Sequence, residues 1–532
     1  MQYRRLRAPR EHGATLELPP LNRFESTWRS NLDHLQTMGQ VRIGDVDLAS
    51  LQESGRKEVV ELARRYTGEY LNVDFGGRTG ERVVMSGHRP ELFHPGVWFK
   101  NFALSKIGQQ LNCVAINLVV DNDICGSPAI RYPSIDSATK SVSVGTIRLD
   151  SPGANVPFEN RRIEDPDFFA SFPDRVASAI SPLVKSPLAN LVWEQLEIAK
   201  SQNQSQVLLG QTIAQGRHRV ESKFGLATLE VPVSQIASTD SFAVFAKSIL
   251  TDIHSFQSSY NSAIAEYRKI HKIRSNAHPV PELIGDGDWL ESPFWVWHHD
   301  RPQRRRLFVK PSGSGISLTD RDGWQADLEL NNFVSQFRDL FGTLATERVA
   351  IRPRALVTTM FCRMVLSDIF IHGIGGAKYD QLTDSIASQF FGAAPPEFMT
   401  ISATMKIKND FELPDRADLI AMRQLRREVE FHPETLIHDI TPQAQAIIQS
   451  KQNWIGGVAA SSGDAKARHE AIREANELLQ PFTNPSFAEL SEKIAATAGE
   501  LRKSAVLNSR EYSFALFDES LVGELGEIAA KI

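Results

Sequence analysis

The chain has 532 residues, 42% of them hydrophobic and 23% charged, which excludes a disordered, fibrous or low-complexity protein. A net charge of −5, from 59 basic and 64 acidic residues, excludes a nucleic-acid partner held by bulk electrostatics. Cys113, Cys125 and Cys362 are too few and too scattered for a disulfide framework or a zinc knuckle, and no apolar run reaches the roughly 18 residues of a membrane span.

The start, Met1 to Glu11, is arginine-rich and lacks the apolar core of a signal peptide, so the expected location is the cytoplasm. Leu51 to Tyr70 has helical spacing and high charge and reads as a surface helix. Arg82 to Met85 reads as a short buried strand. It is followed by the loop Ser86-Gly87-His88-Arg89-Pro90-Glu91-Leu92-Phe93-His94-Pro95-Gly96 and a helix from Trp98 to Leu111. A second apolar strand, Cys113 to Val120, stops at Asp121-Asn122-Asp123. Ligands of open α/β sheets bind where such loops leave the carboxyl ends of strands. A shorter strand is expected at Val144 to Leu149, and Pro152 to Pro173 reads as a connection.

From Asp174 to about His271 the pattern is mainly helical, with one long helix from Ser241 to Arg268 and a strand-like piece from Leu226 to Val233. This block reads as an insertion. The core resumes near Pro279, with strands at Phe294 to His298 and Arg306 to Val309 joined by an exposed basic turn, Arg304-Arg305-Arg306. His298-His299-Asp300 is discounted as a metal site, because adjacent strand residues face opposite ways. A helix is expected from Leu356 to Ile371, ending at Gly373-Ile374-Gly375-Gly376. A second helix follows to Phe391, then a strand from Phe398 to Ile407. Past Pro414 the chain is helical and charged. Phe487, Leu490, Ile494, Thr497 and Leu501 form a heptad-like seam that Ala467 to Leu479 could meet as an antiparallel hairpin. The expected segments are 1–173 (first part of an α/β core), 174–275 (helical insertion), 276–410 (second part of the core) and 411–532 (a helical, coiled-coil-like region suited to dimerisation).

Two constellations carry chemistry. In the first, His88 and His94 suit proton transfer or an anion, since imidazole titrates near neutrality. The helix opening at Gly96 favours an anion. The alternative is that both rings satisfy loop backbone groups. Asp121 and Asp123 suit an amine, a ribose or magnesium, or else close an Asx turn. In the second, Gly373, Gly375 and Gly376 allow close backbone approach and an anion nest, followed by Lys378, Tyr379 and Asp380 in the first turn of a helix. Arg352 and Arg354 bracket Pro353, and arginine suits bidentate capture of a carboxylate.

Taken together, these segments resemble the cysteine-adding enzyme family of bacillithiol biosynthesis. The matching residues are Ser86-Gly87-His88, Leu92-Phe93, Pro95-Gly96 and Lys100, then Asp121-Asn122-Asp123, here without the family's histidine. Downstream they are Arg352-Pro353 and Ile374-Gly375-Gly376 before Lys378-Tyr379, here without its glutamate. The resemblance implies a Rossmann-like α/β core, a C-terminal coiled coil forming a homodimer, and a reaction joining a small carboxylate metabolite or amino acid to an amine. It implies His88, His94, Asp121 and Asp123 as catalytic groups. Ser86, Gly87, Arg89, Gly96, Lys100, Asn122, Arg352, Arg354, Gly373, Gly375, Gly376, Lys378, Tyr379 and Asp380 would line the ligand. ATP or ADP with magnesium is the open cofactor question, no resident metal is expected, and the partner is a small molecule rather than nucleic acid or membrane. Two other readings stay open: a nucleotidyltransferase using a His-x-Gly-His-like turn, and a non-catalytic metabolite-binding or scaffold protein.

Overall fold

The computed structural model describes residues 6–73, 81–136, 138–202, 208–273, 280–341, 349–411, 414–457 and 462–532. The chain is mixed α/β, and it divides into two units. The first comprises residues 1–132, 145–407 and 510–532, the second residues 133–144 and 408–509. The expected boundary at 275/276 and the resumption at Pro279 lie outside the described residues.

The first unit is built on a six-stranded sheet ordered Thr15–Leu18, Met399–Ala403, Ile369–His372, Val83–His88, Val114–Val119, Leu229–Pro232. The last five are mutually parallel, and Thr15–Leu18 caps one edge antiparallel. Numbered along the chain, the parallel strands run 5-4-1-2-3, so the order reverses between Val83–His88 and Ile369–His372. These strands read as continuous apolar runs because both faces are covered. Val83, Met85, Ile116 and Leu118 join one buried cluster, whereas Val84, Ala115, Ile369 and Ile371 join another.

The helix Leu48–Gly68 lies at the surface as expected, with Glu53, Lys57, Glu61, Arg64 and Arg65 exposed, while its other face buries Leu48, Leu51, Val59, Val60 and Ala63 in the first cluster. Several expectations are corrected. The segment 174–275 is not a separate insertion, since Leu229–Pro232 completes the core sheet beside Val114–Val119. Its long helix breaks at Asp252 into Asp240–Thr251 and Ile253–Ile270. The helix expected from Leu356 to Ile371 ends at Leu366, after a helix at Ala355–Phe361 and a π-helical turn at Cys362–Leu366. Phe361, Val365 and Ile369 have helical spacing, but Asp368 stops the helix. Its carboxylate accepts from the Val83 amide at 2.9 Å and pairs with Arg56 at 2.9 Å, which starts the strand Ile369–His372. The glycine turn therefore joins a strand to a helix, Ile374–Phe390.

The strands Gly285–Asp286, Trp289–His298, Arg301–Ser312, Gly315–Thr319, Gln325–Glu329 and Val349–Pro353 form an antiparallel sheet. Arg304-Arg305-Arg306 lies inside the long strand Arg301–Ser312 instead of a turn, with Arg305 opposite Val296 and Arg306 opposite Trp295. In the second unit, Phe487–Leu507 packs chiefly on Arg416–Phe431, while Ser462–Leu479 packs on Pro442–Gly456. The expected hairpin between the two later helices is not the main pairing.

Candidate functional site

At the reversal in strand order lies a cavity of about 570 Å³, inside the 300–1,000 Å³ range usual for small-molecule sites. Gly87 reaches it from one strand end, Phe370 and His372 from the neighbouring one, and Asn122 and Asp123 from the loop after Val114–Val119. Gly376, Tyr379 and Asp380 enter from the helix after His372. Trp295, Arg304 and Arg354 close it from the antiparallel sheet and the turn that follows it. The two constellations read from the sequence thus share one cavity through Gly87, Asn122, Asp123, Arg354, Gly376, Tyr379 and Asp380.

Lys100 ties the two loops together. Its side chain is 1% exposed, and its ammonium donates to the Gly87 carbonyl at 2.7 Å and the Ser86 hydroxyl at 3.3 Å. Ser86 in turn donates to the Ile371 carbonyl at 2.9 Å, and a Cβ on Gly373 would lie 3.7 Å from Lys100 Cδ. Burial, reinforced by Arg217, brings the Lys100 ammonium down to about 7. A side chain at Gly87 would press its Cβ to 2.9 Å from Leu118, so glycine is what lets these strands end so close together.

The chemistry centres on His372, which the sequence reading missed. Its Nε2 lies 2.9 Å from Asp380 Oδ2, and the ring is buried. Asp380 is fixed by Arg363 Nη1 at 2.7 Å, by Thr383 at 2.8 Å and by Thr359. Burial would raise the Asp380 carboxyl, but Arg363, then His372 and Thr359, hold it well below the usual range. Burial lowers the His372 imidazole, and Asp380 offsets this only in part. The ring is therefore neutral at pH 7. With Nε2–H donated to a carboxylate, Nδ1 is left with its lone pair, the arrangement of an oriented base. Nδ1 lies against Gly376, where a Cβ would come within 2.8 Å of it. Gly376→Val is expected to displace the ring and abolish ligand binding while leaving the fold intact. Thermal-shift titration beside far-UV circular dichroism checks this.

Arg354 and Arg304 flank Trp295, their guanidinium carbons 4.1 and 4.4 Å from its ring centre. Arg354 is balanced by Glu291 at 2.6 Å and Arg304 by Asp123 at 3.0 Å. Burial lowers Arg304, and the nearby Arg354 charge adds to this. Two guanidinium groups close enough to repel one another suit an anionic ligand group.

Other expected site residues stand elsewhere. Arg352 does not offer its fork, because Glu159 fills it with bonds of 3.0 and 2.8 Å. His94 caps its own helix, accepting from the Gly96 amide at 3.1 Å, and lies 3.9 Å from Glu511. Burial brings it down to about 4. Gly96 is covered by Ala403 and Arg510, so that helix start is closed to an anion. His88 sits edge-on to Phe93, ring centres 5.0 Å apart, with Nδ1 3.2 Å from the Arg89 carbonyl. Burial, then Lys100, holds it well below neutrality. Arg89 is exposed and pairs with Glu91 at 3.2 Å, and Lys378 and Gly375 are exposed on the helix start.

The acidic pair does not converge. Asp123 Oδ1 accepts from the Ile124 amide at 2.9 Å and from Arg304. Asp121 accepts from the Ser234 amide at 3.0 Å and from its hydroxyl. Burial, then Glu159, raises the Asp121 carboxyl to about 7. A carboxyl raised on folding gives stability that is fully present below the ordinary value near 4 and is lost as pH climbs through about 7. Asp121→Asn is expected to remove this loss and raise stability at pH 8 by about a few kcal/mol, with roughly a third of that gain at pH 5. Urea midpoints at the two values measure it.

No protein-family model matches the chain, and no curated protein matches it. No helix among the described residues is long and apolar enough to cross a membrane.

Proposed function

We propose that the protein is an enzyme with a Rossmann-like core that joins a small carboxylate-bearing metabolite to an amine, as its resemblance to the cysteine-adding enzymes of bacillithiol synthesis implies. The observation that carries this reading is the cavity at the strand-order reversal, holding both a carboxylate-oriented neutral imidazole and two arginines. Open α/β sheets bind ligands at that place. Arg354 and Arg304 take the carboxylate, with Trp295 and Tyr260 against the carbon skeleton. For a carboxyl group supplied already activated, as an acyl phosphate or acyl adenylate, the amine nitrogen bonds to the carbonyl carbon, the C–O bond to the phosphate breaks with its electron pair leaving on the phosphate, and His372 Nδ1 takes the proton that the nitrogen loses, the Asp380 carboxylate stabilising the imidazolium that forms.

Lys100 and Ser86 position the two loops without touching the ligand. Magnesium does not fit this cavity, because Asp123 and Asp380 are committed to Arg304 and to Arg363 and His372, so no step runs through it. Nucleotidyl transfer would need His94 on a phosphate, and its engagement with Gly96 and Glu511 favours the condensation reading.

A homodimer through residues after about 415 belongs to the same proposal. Exposed Ile420, Phe431, Trp454, Ile455 and Leu478 of the second unit support it, and light scattering on the full chain tests it. The function is tested by incubating the protein with mixed small carboxylates and amines, with and without ATP, and following conjugates by mass spectrometry. A conjugate made by the wild type and not by His372→Gln supports the reading. Turnover unchanged in that variant overturns it.

A further inference from the structure

We propose that the protein has a second small-molecule site, for an organic ammonium ion, in the cavity where Asp384 and Arg363 meet the loop 394–398. This inference does not rest on the reaction assigned to the first cavity. The second cavity measures about 420 Å³. The two cavities use different faces of the helix Ile374–Phe390. Gly376, Tyr379 and Asp380 face the first, and Ala377, Gln381 and Asp384, spaced four and three residues apart, face the second.

The charge count at this cavity is unequal. Arg363 is its one lysine or arginine among the described lining residues, and it is 2% exposed. Its Nη1 lies 2.7 Å from Asp380 Oδ2 and also 2.7 Å from Asp384 Oδ1, and its Nη2 is spent on the Pro396 carbonyl. One guanidinium therefore serves two aspartates, and Asp380 belongs to the first cavity. Glu397 adds another carboxylate at the exposed rim. Asp384 keeps 21% side-chain exposure, and no protein group among the described residues bonds its second oxygen. Burial, opposed by Arg363 and reinforced by Asp380 and Glu397, raises its carboxyl to about 6. A carboxylate short of positive charge beside a hollow is where a ligand cation gains most.

The walls choose among cations. Leu18, Ala377, Ala394, Pro395 and Phe398 present apolar surface, which a hydrated metal ion does not use and a short alkyl chain does. His34 spends Nε2 on the Ala394 carbonyl at 2.8 Å, and Asn31 spends its amide on the Asp368 and Glu397 carbonyls, so these walls are fixed before a ligand arrives. The fitting class is a primary alkylammonium of a few carbons, its charge on Asp384 and its chain against Phe398 and Pro395.

The experiment is calorimetric titration of the full chain with n-butylammonium chloride, with n-butanol as the uncharged probe of equal size. The expected result is saturable binding of butylammonium, at least ten-fold weaker binding of butanol, and loss of the butylammonium signal in Asp384→Asn. Affinity should also fall about ten-fold from pH 7 to pH 5, as Asp384 takes up a proton. Ser30→Phe narrows the same cavity from an exposed helix position without altering charge, and it should weaken binding by a similar factor. It decides the case if Asp384→Asn fails to fold. Equal binding of butanol would reduce the site to an apolar hollow and overturn the proposal. So would butylammonium binding unchanged in both variants, or no binding at millimolar concentration.

Discussion

Asp380→Ala is expected to destabilise the protein by about 3–5 kcal/mol, the cost typical of removing one partner from a buried ion pair. The Asp380 carboxylate gathers the buried Arg363, His372 and Thr383 and the half-buried Thr359. Without it the buried guanidinium keeps only Asp384 and the Pro396 carbonyl, and the Thr383 hydroxyl loses its acceptor at 2.8 Å. The pH dependence has a definite sign. A carboxyl held low in the folded state contributes stability that is present above the ordinary value near 4. That stability is lost as pH falls through the lower folded value. Urea unfolding at pH 7 should show the full deficit of the variant, and the gap to wild type should shrink by pH 3. A deficit below about 1 kcal/mol at pH 7 would mean that Arg363 is satisfied without Asp380, contrary to the geometry.

His372→Gln carries the largest expected effect on chemistry, a loss of about 10²–10⁴ in kcat, the range typical for removing a general base. Glutamine can still donate to Asp380, so the fold and the affinity for the carboxylate partner should stay within a few-fold of wild type. Because burial lowers the His372 imidazole, the acid limb of the wild-type pH profile should lie below the ordinary histidine value near 6.5. Steady-state kinetics across pH 4.5–8 on the conjugate-forming reaction measures both. A fall in affinity with kcat preserved would make His372 a binding residue instead of a base.

Much of this site was legible in the residues. The apolar runs at 83–85 and 114–119 fixed two adjacent parallel strands, and the polar stretches after them fixed which end of the sheet carries chemistry. Gly87 and Asp123 follow from that grammar, whereas Gly376, Tyr379 and Asp380 were legible as a glycine-rich turn opening a helix. His372 obeys the same grammar, an apolar run ending in a histidine before glycine, but helical spacing through Phe361 and Val365 concealed its strand. Only the tertiary partner of Asp368, the Val83 amide, decides between the two. Arg352 and Arg354 are equivalent in sequence, and which one faces the cavity depends on Glu159, nearly 200 positions away along the chain. Arg304 read as part of an exposed turn because a run of three arginines is usually solvated. The bulged strand that aims it at Trp295 is a matter of register, which charge pattern does not report.

The central claim is that the cavity between the ends of Val83–His88 and Ile369–His372 is where the protein holds its small-molecule partner. The most direct measurement is a crystal structure of the wild-type protein soaked with the carboxylate metabolite that gives the largest thermal shift in a screen. The predicted result places its carboxylate within about 3 Å of the Arg354 or Arg304 guanidinium, a hydrogen-bond distance, and its reacting carbon on the His372 side of the cavity. The ligand seated at another surface, with this cavity holding solvent alone, would contradict the account.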